Sequence, residues 1–247
     1  MRAALCAYQC KQEDLAKTYI QRAVDIDYDI AEEVWADQQT APEFDVVRNT
    51  TMKNYVQDIF ARKEATFKLN LPLKRELQAI YTTDQQLRSR IDSISKNYGH
   101  DSPQIRQLWQ QMQVTDSINT VRVEQIIQQY GYPGKSLVGG KQGNTAWLVI
   151  QHAPLPIQEK YFPLMQKAAE QGEMDKSNLA LLIDRIRMYK GQKQLYGSQV
   201  TTDSTGKSFL HPIEDEANVN KRRAKMDLEP IEEQARQFGF EYKPATK

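Results

Sequence analysis

From Leu73 onward, apolar residues return every third or fourth position for most of the next sixty residues, and that periodicity restricts the fold to packed helices. Leu73, Leu77, Ile80, Tyr81, Leu87, Ile91 and Ile94 form one amphipathic stripe, which predicts a long helix ending near the Asn-Tyr-Gly-His-Asp run at 97–101. A second helix is expected from Pro103, carrying Ile105, Leu108, Trp109 and Met112. A third would carry Val121, Val123, Ile126, Ile127 and Tyr130. The many Gln residues between these positions read as solvated helix surface, because Gln is a good uncharged helix former.

The first seventy residues repeat the theme in shorter pieces. Leu15, Ala16, Tyr19, Ile20, Ala23 and Val24 share a helical face, and Glu13 or Asp14 would start that helix with a favourable charge. The Ala16, Ile20, Ala23 spacing, with Ala7 and Tyr8 before it, resembles a tetratricopeptide helix pair whose turn is one residue short. The chain opens inside the first helix of that pair. Its start therefore reads as truncated or as a degenerate remnant, and a targeting segment upstream would not be visible. Further helical patches cover Ile30 to Trp35 and Met52 to Ala65, separated by Pro42 and a polar turn at Asn49, Thr50 and Thr51. The Leu-Asn-Leu-Pro run at 69–72 is the expected boundary between a helical, repeat-like segment at 1–70 and a second domain at 71–247.

Extended structure is expected in one place. Lys193 to Val200 and Ser208 to Ile213 flank a polar turn and read as a single small β-hairpin. The fold class is therefore mainly α, with a repeat-like N-terminal segment, a multi-helix domain and one hairpin.

Charge excludes several partners. Lys and Arg total 33 against 32 Asp and Glu, so nothing calls for nucleic acid or an anionic membrane surface. No apolar run approaches the roughly 18 residues of a membrane span. The opening MRAALCAYQC is interrupted by Gln9, Cys10, Lys11 and Gln12 before a signal-peptide core is complete. Cys6 and Cys10 are read as small core residues. The three histidines, His100, His152 and His211, have no metal-ligand spacing, so neither a metal nor a cofactor is expected.

Candidate chemistry concentrates after residue 131. Gly139, Gly140 and Gly143 precede a helix start at Asn144 or Thr145 and read either as a connecting loop or as an anion cradle. Pro154 ends the next helix, which leaves His152 at the negative end of its dipole, a place that favours imidazolium and suits acid or base work. Asp184, among Leu181, Leu182, Ile183 and Ile186, needs a partner and is the carboxylate expected to orient His152. Ser136 or Ser198 could complete a Ser-His-Asp set, but no nucleophile-elbow motif supports it. Asn-Lys-Arg-Arg-Ala-Lys at 220–225 reads as a solvated helical face.

The segments WLVIQHA (147–153), LALLIDRIRMYKGQKQLYGSQV (179–200) and HPIEDEANVNKRRAKMDLEPIEEQA (211–235), with LQAIYTTDQQLR (77–88), together resemble a bacterial domain-of-unknown-function family, number six-six-two-four. Gln151, His152 and Ala153 match its Gln-His-Ala triplet, and Asp184 with Arg185 its Asp-Arg helix. Gln194, Tyr196, Gly197 and Gln199 match its Gln-x-Tyr-Gly-Thr-Gln segment, with Ser198 in place of the usual Thr. The resemblance implies no activity. Two function classes stay open. One is a pocket for a small polar or anionic ligand, with His152 and Asp184 as catalytic candidates and Gln151, Arg185, Gln194, Tyr196 and Gln199 as its walls. The other is an interaction protein binding a partner through its N-terminal helices, the same polar residues forming a structural hydrogen-bond network.

Overall fold

The structure, a computed structural model, describes residues 1–36, 41–202 and 208–243. It is mainly α-helical with one small antiparallel hairpin. The first unit runs α1 (Arg2–Gln9), α2 (Glu13–Ile26), α3 (Tyr28–Ala36), a 3-10 turn at Pro42–Phe44, α4 (Asp45–Arg48) and α5 (Met52–Thr66). Then follow α6 (Leu71–Arg88), α7 (Ile91–Tyr98), α8 (Pro103–Tyr130), the short α9 (Lys135–Val138), α10 (Gly140–Gly143) and α11 (Thr145–Ile150), α12 (Leu155–Glu170) and α13 (Lys176–Tyr189). Strands β1 (Val200–Thr202) and β2 (Ser208–Leu210) precede α14 (Val219–Ala224) and α15 (Ile231–Gln237). No helix among the described residues is long and apolar enough to cross a membrane.

Local chemistry sets the boundaries of the long helices. Asn70 caps α6 by accepting the Leu73 N–H, with Pro72 in the first turn, and Ser102 caps α8 by accepting from Ile105, with Pro103 at its first position. Gly131 closes α8 with φ of 74°, a left-handed conformation that costs a glycine little.

Two expectations about these helices are corrected. The stripe from Leu73 to Ile94 is not one helix: α6 ends at Arg88 and α7 restarts at Ile91. Its periodicity survives the break because both helices pack on α8. Conversely, the second and third expected helices are one continuous α8 of 28 residues. The gap in its apolar stripe between Met112 and Val123 is filled at helical spacing by Asp116, Asn119 and Thr120, of which Asn119 and Thr120 are buried. A polar stretch on a buried face looked like a connection.

The buried apolar side chains fall into two clusters. Ala16, Ile20, Val24, Phe44, Met52, Val56 and Ile59 belong to the first, Leu77, Val123, Ile126, Ile150, Met165 and Leu182 to the second. Polar contacts join them. The Lys74 ammonium, 7% exposed, donates to Glu64 Oε1, to Glu32 Oε1 at 3.2 Å and to the Tyr28 hydroxyl at 3.4 Å; Tyr28 in turn donates to Glu64 at 2.8 Å. The Gly140 N–H donates to Asp29 Oδ1 at 3.1 Å, and a Cβ at Gly140 would meet that carboxylate at 2.4 Å.

The chain departs from expectation elsewhere too. Cys6 and Cys10 are exposed, not core residues, because α1 buries its Ala4, Leu5 and Ala7 face instead. The hairpin pairs Val200 with Leu210 and Thr202 with Ser208, so Thr201 and Thr202 of the expected turn at 201–207 are strand, and the rest of that turn, 203–207, lies outside the described residues. Gln194 makes only an isolated bridge to Ile213, so the stretch before Val200 is not a strand. Pro163 sits inside α12 without ending it. The basic run at 220–225 is a solvated face only in part: Lys221 and Lys225 are exposed, but Arg223 is 1% exposed and donates to the carbonyls of Glu229 and Tyr196, while Arg222 donates to that of Leu195.

The junction makes stability depend on pH. Burial works against ionising Glu64, yet the hydrogen bonds from Lys74 and Tyr28 outweigh it and hold the carboxyl below its ordinary value. A carboxyl depressed in the folded state stabilises above its unfolded value, and the benefit is lost as pH falls through the folded one. Thermal melts from neutral to acid pH should show this loss, and Glu64→Gln should flatten it. Lys74→Met strands two carboxylates at the junction and should cost about 2–3 kcal/mol in urea unfolding.

Candidate functional site

An open cleft of about 1210 Å³ lies in the second unit. Its lining takes Arg88 from the end of α6, Asp116 and Thr120 from α8, His152 from the turn after α11 and Arg185 from α13, and Asp84 stands behind it, one turn before Arg88 on α6. Asp84 extends the α6 stripe of Leu77 and Ile80 and is 1% exposed. A carboxylate so deeply buried requires partners, and it has them. His152 Nδ1 lies 3.2 Å from Asp84 Oδ1, Gln85 donates to Oδ2 at 2.6 Å, and Arg88 Nη1 lies 3.2 Å from Oδ1. The same guanidinium reaches Asp116, with Nη2 at 2.8 Å from both carboxylate oxygens. Asp84 and Asp116 thus share one cation, with the imidazole at the edge of the bridge. A carboxylate facing Nδ1 makes that nitrogen the protonated one and leaves the Nε2 lone pair as acceptor.

Arg185 is held differently. Its Nη1 donates to the Gln151 carbonyl at 2.9 Å and its Nε to Gln199 Oε1 at 3.3 Å, so both fixed partners are neutral. Among the described residues no carboxylate pairs with it. Burial lowers its hold on its proton below the ordinary arginine range, and the like charge of Arg88 adds to this. Gln199 is itself fixed, donating to Ser198 Oγ at 3.0 Å and to the Leu181 carbonyl at 3.4 Å.

Asp184 does not orient His152; that partner is Asp84. Adjacent residues of a helix point to different sides, and while Arg185 faces the cleft, Asp184 turns to the segment before β1. There it is 0% exposed and accepts three backbone N–H groups: Leu195 at 2.7 Å, Tyr196 at 3.1 Å and Ser198 at 2.9 Å. Gln194 works on the same segment, donating to the carbonyls of Gln199 and His211 and accepting the Gln199 N–H. Gly197 takes φ of 68° there, and a Cβ on it would meet Ile231 at 2.3 Å. Of the residues expected to converge, His152 and Arg185 line the cleft, Gln151 and Gln199 position Arg185 from behind, and Asp184, Gln194 and Tyr196 build the loop that carries Gln199. Neither Ser136 nor Ser198 lines the cleft, so no Ser-His-Asp set forms there. The expected anion cradle at Gly140 receives an anion from the chain itself, the Asp29 carboxylate.

Asp84, Arg88 and Asp116 are the site residues that sequence reasoning passed over. The signal was present: Asp84 follows Leu77 and Ile80 at helical spacing, and Asp116 falls between Met112 and Thr120 on the inward face of α8. Asp84, Asp116 and His152 also bring one potential metal ligand each to within 4.8 Å of one another, a grouping that spacing along the chain cannot reveal. Two carboxylates and an imidazole suit a divalent cation. Arg88 already bridges both carboxylates, so such an ion would compete with its guanidinium.

The model of a family of unknown function (DUF6624) matches residues 71–244 of the chain. No curated protein and no solved structure matches it.

The loop around Asp184 is the part most sensitive to a single change. Asp184→Asn removes the charge that three N–H groups share and turns an NH2 toward donors. Because hydrogen bonds to a charged acceptor contribute about 1.5–3 kcal/mol each, urea unfolding should show a loss of about 3 kcal/mol.

Proposed function

The chain belongs to the family of unknown function DUF6624, and we propose that the domain at 71–247 forms a pocket that binds a small anionic ligand and moves a proton on it, with hydrolysis as the reaction class. The observation that carries this reading is the Arg185 guanidinium, which lines the cleft on neutral partners only. A partly desolvated cation without a counter-charge gains most from an anion, and a guanidinium meets a carboxylate or phosphate in a two-pronged geometry.

His152 supplies the proton chemistry. With Nδ1–H directed at Asp84, Nε2 accepts a proton from water as the water oxygen bonds to the electrophilic carbon or phosphorus of a ligand anchored on Arg185. The imidazolium so formed is stabilised by Asp84 and then protonates the leaving group. Asp84 is the orienting carboxylate. The Arg88 bridge offsets one of the two negative charges of Asp84 and Asp116 and so weakens their repulsion of an incoming anion. Gln151 and Gln199 aim Arg185, and Asp184, Gln194 and Tyr196 act through the loop that holds Gln199.

A second reading has its own observation. A groove of about 700 Å³ lies among α1, α2, α3 and the Pro42–Phe44 turn, with Ile26 and Ile30 exposed along it, as a surface for a protein partner would have.

Inorganic phosphate should raise the melting temperature of the parent protein saturably, and Arg185→Gln should abolish that response while the protein still folds. Against p-nitrophenyl esters, His152→Gln should lower turnover by about 10²–10⁴-fold with phosphate binding retained. A phosphate response that is unchanged in Arg185→Gln would sink the pocket reading.

A further inference from the structure

We propose that the ligand of this cleft is an amphipathic anion: a charged head held at Arg185 beside His152, joined to an apolar body that lies along α8 toward Trp109. This deepens the pocket reading above and rests on it. The cleft carries its charged side chains together: Arg88, Asp116, His152 and Arg185. Ile91, Trp109, Leu155 and Tyr189 supply apolar wall, with Met112 beneath them, and the polar residues beside Trp109, Gln110 and Gln113, are uncharged. Trp109 is 51% and Tyr189 54% exposed, so two large aromatic side chains stand partly in water on the walls of a concavity. Scattered exposed apolar residues are ordinary; a group of them lining one cleft beside an unneutralised cation marks a surface that a ligand covers.

The arrangement sets a length. Trp109, Met112, Asp116 and Thr120 follow each other at helical spacing on one face of α8. Seven residues separate Trp109 from Asp116, and at 1.5 Å per residue the charged end and the aromatic end lie about 10 Å apart along the helix. On α13, Tyr189 is one turn beyond Arg185, so a ligand whose head engages Arg185 passes the Tyr189 ring on its way along the cleft. A short anion such as acetate fills only the head. A chain of about eight carbons, counting the carboxylate, covers roughly the 10 Å set by the helix rise and reaches the indole.

The test is a homologous series of straight-chain carboxylates, acetate, butanoate, hexanoate and octanoate, titrated calorimetrically into the parent protein, Trp109→Ala and Arg185→Gln, with inorganic phosphate as the body-less anion. In the parent, affinity should rise with each methylene, by up to about fourfold where burial is complete, and level off once the chain spans the cleft. Trp109 is exposed, so Trp109→Ala should fold normally. It should keep the acetate and phosphate response while losing most of the gain from hexanoate to octanoate. Arg185→Gln should weaken every member of the series. A parent affinity that does not rise with chain length, or a gain that survives intact in Trp109→Ala, overturns this inference while leaving the anion pocket standing. Failure of every anion to bind removes both.

Discussion

The Asp184 carboxylate is the interaction on which the second unit of this protein depends. It is fully buried and, among the described residues, no guanidinium or ammonium is hydrogen-bonded to it; three backbone N–H groups of the segment before the hairpin solvate it instead. Those donors belong to a stretch that is neither helix nor strand, and a buried backbone of that kind needs a partner for each polar group. The carboxylate gives the segment its conformation, Gly197 permits the left-handed turn, and Arg222 and Arg223 take up the carbonyls of Leu195 and Tyr196 on the outside. The end of that segment is Gln199, whose side-chain oxygen holds Arg185. A structural carboxylate thus fixes the Arg185 guanidinium, one residue away in sequence, although the two side chains face different sides of the helix.

The cleft separates its charges by role. Asp84, Arg88 and Asp116 form a closed set of two anions and one cation, and His152 borrows direction from it. Arg185 stands outside the set with amide partners only. Neutral partners position a guanidinium without discharging it, so its electrostatic preference for an incoming anion remains available. The Asp84 carboxylate can be so deeply buried because Gln85, Arg88 and His152 between them occupy both of its oxygens.

The helical architecture was legible from periodicity alone, and the hairpin from its flanks, because apolar spacing reports directly on which face is buried. The helix count between 73 and 130 was not. The two errors have opposite origins: polar residues can stand on a buried helix face where apolar ones would mark continuity, and an apolar stripe can run on across a break. Asp116, Asn119 and Thr120 hid the unity of α8, while the unbroken stripe through Leu87 and Ile91 hid the break after Arg88. His152 and Arg185 were readable from their motifs, since a histidine before Pro154 and an arginine in an apolar helix are conspicuous. The carboxylate that the sequence suggests for His152 is Asp184, because an acid among Leu181, Leu182, Ile183 and Ile186 needs a partner. Asp84 lies 68 positions away, and only the packing of α6 against α11 brings it there.

That α8 is one unbroken rod has a consequence for how ligands could be told apart. The carboxylate that meets Arg88 and the indole at the far end of the cleft ride on the same helix, with no loop between them to stretch or fold. Their separation therefore behaves as a ruler graduated in turns of about 5.4 Å. For the amphipathic ligand proposed above, moving the aromatic residue from 109 to a position one turn nearer or farther, which takes two substitutions, would re-mark the ruler rather than loosen the cleft and would leave the charged end as it is.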